Sequence, residues 1–259
     1  MQLILQKCDP ADILWLDEFL DIKNLEIISE GISIPAETSG PIIHYDSKGL
    51  SMTFTQDQAV SPTRVDFLSK KLQHRLATTR RSEGLPKAAG LDKAKGPLSV
   101  IDATAGLGAD AYILAALGCQ VQMLEKSGLI AALLYDGLRR GLQAGAGDIR
   151  AHLGNMALVM ADAHAYMVSM EDDPDVITLD PMFPPRKKTA RVKKDMALMQ
   201  QLLPPNQDED IEQLLELACQ RAKKRVVLKR PGKMEKHPKQ KPDFQVSGRA
   251  CHFQVFLTA

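Results

Sequence analysis

The sequence predicts an α/β protein: a doubly wound, mostly parallel sheet closed by a C-terminal antiparallel hairpin, behind a small N-terminal β-containing subdomain. Three observations predict it. From residue 97 onward, short apolar runs alternate with amphipathic stretches at helical spacing, as in strands joined through helices into a parallel sheet. The first of these runs, Ser99–Asp102, ends in a glycine loop that opens a helix. The first sixty residues differ in texture, with short β-prone stretches cut by Gly31, Pro35, Gly40–Pro41 and Gly49.

In chain order, residues 1–60 read as a small separate unit. Leu25–Ile28, Ile42–Tyr45 and Leu50–Phe54 point to two to four short strands, partly antiparallel. Residues 61–96 read as a basic linker and helix facing the substrate. The helix runs from Val65 to about Leu76, and Thr78–Gly96, rich in Gly, Lys, Arg and Pro, reads as a linker or flexible loop. The main domain occupies residues 97–259. Its strands are Ser99–Asp102, Gln120–Glu125, Met156–Met160, Val176–Leu179 and Arg225–Leu228, and Phe244–Val246 and Phe253–Leu257 pair as the terminal hairpin. Its helices are Ala109–Leu117, closed by Gly118, then Leu129–Gln143 and Ile211–Ala222. No internal repeat occurs.

Composition narrows the classes of function. The chain has 259 residues, 44% hydrophobic and 25% charged, enough for a sizeable core without disulfides. Cys8, Cys119, Cys219 and Cys251 are scattered and form no metal-binding pattern, which suits a reducing cytoplasm and no metal. The N-terminus lacks the features of a signal peptide, and no apolar run reaches membrane-spanning length, so no membrane partner is expected. A monomer is the expected state. The net charge of +1 hides segregation: residues 221–241 hold ten Lys/Arg against Glu235 alone, and residues 186–194 hold six Lys/Arg and no acid. Charge sorted in this way can build a basic face for nucleic acid, or a solvated surface.

The loop in VIDATAGLGADA has Gly106 and Gly108 between strand and helix, where the backbone can turn tightly and approach a ligand. Gly106-x-Gly108-x-x-Ala111 also fits the dinucleotide fingerprint, with Glu125 nineteen residues past Gly106, so an NAD-type oxidoreductase stays open. Acids at the loop point elsewhere. Asp102 at the strand end and Asp110 at the helix start would repel a pyrophosphate, yet suit S-adenosylmethionine, which carries a sulfonium and an ammonium and no phosphate. Glu125 can accept hydrogen bonds from both ribose hydroxyls. Asp162 can accept from the adenine amino group, or be a surface-turn aspartate or a helix cap.

ITLDPMFPPRKK carries the chemistry. A strand delivers Asp180 to the sheet edge, Pro181 offers a carbonyl and Phe183 a flat ring. An exocyclic base amine is a poor nucleophile because its lone pair is delocalised. Acceptors on its N–H groups orient that lone pair and favour the rehybridised transition state, while an aromatic ring can stack the extruded base. Arg186, Lys187, Lys188, Lys193 and Lys194 follow at once, and Lys229 and Arg230 follow the next strand, so two basic clusters flank one edge and suit a phosphate backbone. Another RNA, DNA or a protein amine as acceptor, or an RNA-binding module without catalysis, remain alternatives.

DATAGLGADA, MLEK followed by AALLYDGLRRG, LDPMFPPRKKTARVKKDM and KRVVLKRP together resemble the bacterial small-subunit ribosomal RNA methyltransferases of the J type, from about Val65 to the C-terminus. The resemblance implies a class I methyltransferase fold and methyl transfer from S-adenosylmethionine to the exocyclic N2 of a guanine in 16S ribosomal RNA, on naked RNA or the small ribosomal subunit. It implies cofactor contacts at Ala109, Asp110, Glu125, Lys126, Asp162, Ala163 and Asp180. Ala109 and Lys126 stand where the family more often has arginine.

Overall fold

The computed structural model describes residues 2–5, 10–20, 26–29, 40–54, 62–181, 208–231, 239–248 and 251–258, which form two sheets. The smaller contains β1 (Gln2–Leu5), β2 (Glu26–Ser29), β3 (Pro41–Asp46) and β4 (Gly49–Phe54) in the order β2-β1-β3-β4. β1 lies parallel to β2 and β3, and β3 and β4 form an antiparallel hairpin. Asp46 steadies its turn by accepting from the Lys48 amide at 2.7 Å.

The larger sheet contains β5 (Ser99–Asp102), β6 (Gln120–Glu125), β7 (Met156–Met160), β8 (Val176–Leu179), β9 (Arg225–Pro231), β10 (Phe244–Ser247) and β11 (Cys251–Leu257). Their order is β10-β11-β9-β8-β5-β6-β7. β5 to β9 are mutually parallel, and β11 runs antiparallel between β9 and β10. β8 is buried along its whole length, as expected of a strand covered on both faces. The chain winds from β5 outward to β7, then crosses back to β8 on the other side of β5. That reversal opens a crevice at the carboxyl ends of β5 and β8.

Seven α-helices surround this sheet among the described residues: α1 (Lys70–Ala77), α2 (Gly84–Ala88), α3 (Ala109–Ala116), α4 (Gly128–Ala144), α5 (Gly147–Gly154), α6 (Ala163–Ser169) and α7 (Asp208–Arg221). The sequence reading has no helix at α5 or α6, and it differs at α1 and α2 as well. α1 begins at Lys70 rather than Val65, because Val65 and Phe67 are buried anchors ahead of the helix, with the Phe67 ring 5.3 Å from that of Tyr112. The stretch Thr78–Gly96 is not simply a loop: it folds as α2 and buries Leu85, Pro86 and Ala88, with Leu91 just beyond, against β10 and β11.

The N-terminal sheet is not detached. Ile43, Leu50 and Met52 share one continuous core with Val65, Phe67, Leu133 and Leu134. Asp136 on α4, fully buried, accepts from the Leu50 amide at 2.9 Å and from Arg140 Nε at 2.7 Å. Arg140 also donates to the Val65 carbonyl at 2.5 Å, and Arg139 to the Tyr45 hydroxyl at 2.9 Å. A buried carboxylate is tolerated only when so fully partnered. Among the described residues, no helix is long and apolar enough to cross a membrane.

Candidate active site

A cavity of about 580 Å³ occupies the crevice where β5, β6 and β8 end. The glycine loop forms one wall. Gly106 and Gly108 take left-handed φ values of 53° and 74°, and Gly108 caps the N-terminus of α3. The two glycines do different work. Gly106 lines the cavity; Gly108 does not, since a Cβ there would stand 2.7 Å from Leu134 Cδ1 on α4. The missing side chain at Gly108 therefore lets the loop pack closely on α4.

Glu125, at the end of β6, is buried and oriented by backbone amides. Oε2 accepts from Gly106 at 3.1 Å and Oε1 from Ser127 at 2.8 Å. Burial pushes its carboxyl above the usual range, against the pull of these amides. Each carboxylate oxygen retains a second acceptor site, so a vicinal diol can be gripped by both.

Charge concentrates where the start of α3 meets the ends of β8 and β9. Lys229 Nζ donates to Asp110 Oδ2 at 2.8 Å and to Asp180 Oδ2 at 2.6 Å, and Arg75 from α1 completes the cluster by an ion pair with Asp110. Burial raises the Asp110 carboxyl, but Lys229 and Arg75 outweigh it and hold it at about 2. Asp180 is raised, by burial and by Asp110, although Lys229 opposes. Asp102 is raised to about 7, by burial first and then by the neighbouring Asp110 and Asp180. Lys229 is driven well above its ordinary value because its two carboxylates outweigh desolvation.

The remaining wall belongs to Lys126, Asp162 and Ala163, with Ala109 and Pro181 at the loop and strand ends. Asp162 caps α6, its Oδ1 accepting from the Ala165 amide at 3.1 Å, so the capping role is realised while the residue also lines the cavity. The Asp180 amide donates to Thr104 Oγ1 at 2.6 Å, tying the end of β8 to the loop after β5.

The structure thus brings together Asp102, Gly106, Ala109, Asp110, Glu125, Lys126, Asp162, Ala163, Asp180 and Pro181 around one cavity. Two expectations are corrected. Lys229 points into the cavity and is engaged by carboxylates, and Arg230, on the other face of β9, is 4% exposed. Adjacent strand residues face opposite ways, so the pair cannot form one outward phosphate clamp. Phe183, Arg186, Lys187, Lys188, Lys193 and Lys194 lie outside the described residues. Sequence reasoning missed Arg75, Thr104 and Gln213, which also line the cavity. Arg75 had a signal, as a cation on the helix read as facing the substrate; Thr104 and Gln213 had none.

The residues fit S-adenosylmethionine better than a dinucleotide. The rim of the glycine loop carries Asp102 and Asp110, where a pyrophosphate would meet like charge, whereas a cationic ligand would be welcomed and would draw Asp102 into its ionised form. Glu125 would hold a ribose, with Lys126, Asp162 and Ala163 beside the base.

A family model described as "Putative SAM-dependent methyltransferase" matches residues 29–258. The ribosomal RNA small subunit methyltransferase J of Thioalkalivibrio sulfidiphilus is 40% identical over 238 residues, covering 91% of this chain and 89% of its own. The enzyme of the same name from Pseudoalteromonas translucida is 39% identical, covering 86% and 87%. A crystal structure of a SAM-dependent methyltransferase from Neisseria gonorrhoeae superposes with a TM-score of 0.71 at 27% identity, covering 99% of this chain and 96% of its own.

Proposed function

Because the chain belongs to the SAM-dependent methyltransferase family, whose cofactor is S-adenosylmethionine, we propose that its acceptor is the exocyclic N2 amine of a guanine in small-subunit (16S) ribosomal RNA. The relatives at about 40% identity that carry the ribosomal RNA small subunit name support this substrate class. The observation that carries the chemistry is the Asp180 carboxylate: it borders the cavity, and among the described residues only its Oδ2 is engaged, by Lys229.

When bound, the cofactor supplies an electrophilic methyl group. Asp180 does the rest of the alignment. Its Oδ1 accepts an N–H of the amine, turning the nitrogen lone pair away from the ring and toward the cavity, and the same carboxylate takes up the proton the amine must lose. The Pro181 carbonyl is the second acceptor. Thr104 fixes the backbone of Asp180, and Lys229 fixes its carboxylate from behind, so the acceptor is held before the base arrives. Phe183, three residues further along the chain, is the ring assigned to stack the base, and Arg186 to Lys194 the cations assigned to the flanking phosphates. A cytoplasmic monomer acting on RNA or on the assembled subunit accompanies this reading.

The test is methyl transfer from radiolabelled S-adenosylmethionine to small subunits prepared from a strain lacking the gene, followed by nucleoside analysis. Label in N2-methylguanosine is expected. Label in another nucleoside, or in protein, would overturn the assignment of the acceptor.

A further inference from the structure

We infer that the outer face of α1 and the turn after it form the surface that binds the RNA phosphate backbone at the mouth of the cavity. This rests on the ribosomal RNA reading above and supplies what that reading lost when Lys229 and Arg230 proved to be committed elsewhere. α1 is laid down by its inner side: Leu72 and Leu76 pack against the core, and Gln73 Nε2 donates to the Phe67 carbonyl at 2.5 Å and the Tyr112 hydroxyl at 3.0 Å. What remains outward is cationic. Lys70, Lys71, His74 and Arg75 are all exposed, as are Arg80 and Arg81 beyond the helix, and Ser69–Ser82 contains no acid.

Two features make this strip more than a solvated helix. It adjoins the site, because Arg75 both lines the cavity and pairs with Asp110 on the glycine-loop helix. Lys71 stands one turn before Arg75, on the same helical face, so the row of cations leads from the outer surface to the cavity rim. The turn is also braced: Arg81 donates to the Leu117 carbonyl at 2.9 Å, and Thr79 Oγ1 to the Arg75 carbonyl at 2.7 Å. A braced row of cations ending at a pocket for one nucleoside fits a polyanion whose backbone passes the mouth while a single base enters. Contacts of this kind set register and affinity and carry no sequence preference.

The test uses the full-length triple variant Lys70→Ala, Lys71→Ala, Arg80→Ala, with small subunits and with protein-free 16S RNA. The expected result is a KM for RNA raised roughly tenfold or more, a plot of log binding constant against log salt that is shallower by about 2, and an unchanged kcat and cofactor Kd. The single variant Lys70→Glu, at the exposed start of α1, should move the RNA KM in the same direction with minimal demand on folding. Wild-type RNA affinity and salt slope in both variants would overturn the α1 assignment and leave the methyltransferase reading intact. Failure of the wild-type protein itself to bind or methylate RNA would overturn both.

Discussion

Lys229 offers the sharpest test of how the site works. The perturbation is Lys229→Met, which keeps the length of the side chain and removes the ammonium that bridges Asp110 at 2.8 Å and Asp180 at 2.6 Å. A charge-assisted hydrogen bond contributes about 1.5–3 kcal/mol. The Asp180 side chain is 41% exposed and that of Lys229 28%, so screening removes roughly half of it. About 0.8–1.5 kcal/mol is left, roughly four- to tenfold in kcat. A pH signature accompanies the loss. Burial raises the Asp180 carboxyl and Lys229 holds it down, so removing the ammonium lets it rise further, and the acid limb of the kcat profile moves to higher pH. The assay is single-turnover methyl transfer across pH 5–9 at saturating RNA. Lys229→Arg, which keeps the charge, should recover most of the rate. An acid limb that stays in place, or a defect confined to the KM for RNA, would refute the positioning role and return Lys229 to phosphate binding.

Other residues make separable predictions. Glu125→Gln should weaken S-adenosylmethionine binding about tenfold or more by calorimetry and lower stability by about 1–3 kcal/mol, because the amide NH2 leaves one buried backbone donor without an acceptor; unchanged affinity would remove Glu125 from the cofactor site. Gly108→Ala forces a side chain into a left-handed turn and against Leu134, and should lower stability by about 2 kcal/mol in denaturant titration; a neutral effect would contradict the close approach to α4. The Asp102 carboxyl lies at about 7 in the fold against 3.8 when free. The folded state therefore holds the proton more tightly, and this residue's contribution to stability falls as pH rises from about 4 to 7. Asp102→Asn should gain about 2–3 kcal/mol on the cofactor-free wild type between pH 5 and pH 8, and a pH-independent difference would argue that Asp102 is ionised throughout.

Much of the site was legible because parallel strands announce themselves and deliver their last residue to a fixed edge. β5, β6 and β8 end in Asp102, Glu125 and, one residue on, Asp180, and all three face the cavity. What remained hidden depended on facing and on distant partners. The pair Lys229–Arg230 reads as one basic cluster, yet a period of two sends one side chain inward to two carboxylates and buries the other. α2 was obscured because GLPKA is short, contains a proline and sits among lysines, and only the cover of β10 and β11 gives its Leu85 and Ala88 a place to go. Gly108 fitted a ligand fingerprint, but its neighbour is Leu134, a residue no local pattern could nominate.

The bond between Leu50 and Asp136 spans 86 residues of chain, and this has a consequence for the nascent protein. The N-terminal hairpin emerges from the ribosome well before the helix that satisfies its buried amide. At roughly 5–20 residues per second, the hairpin waits about 4–17 s for Asp136 to be synthesised, with the face of Ile43 and Met52 uncovered. The chain must protect an unfinished edge during its own translation, and synonymous codons or chaperones that alter this interval should change the yield of folded enzyme without touching any residue of its site.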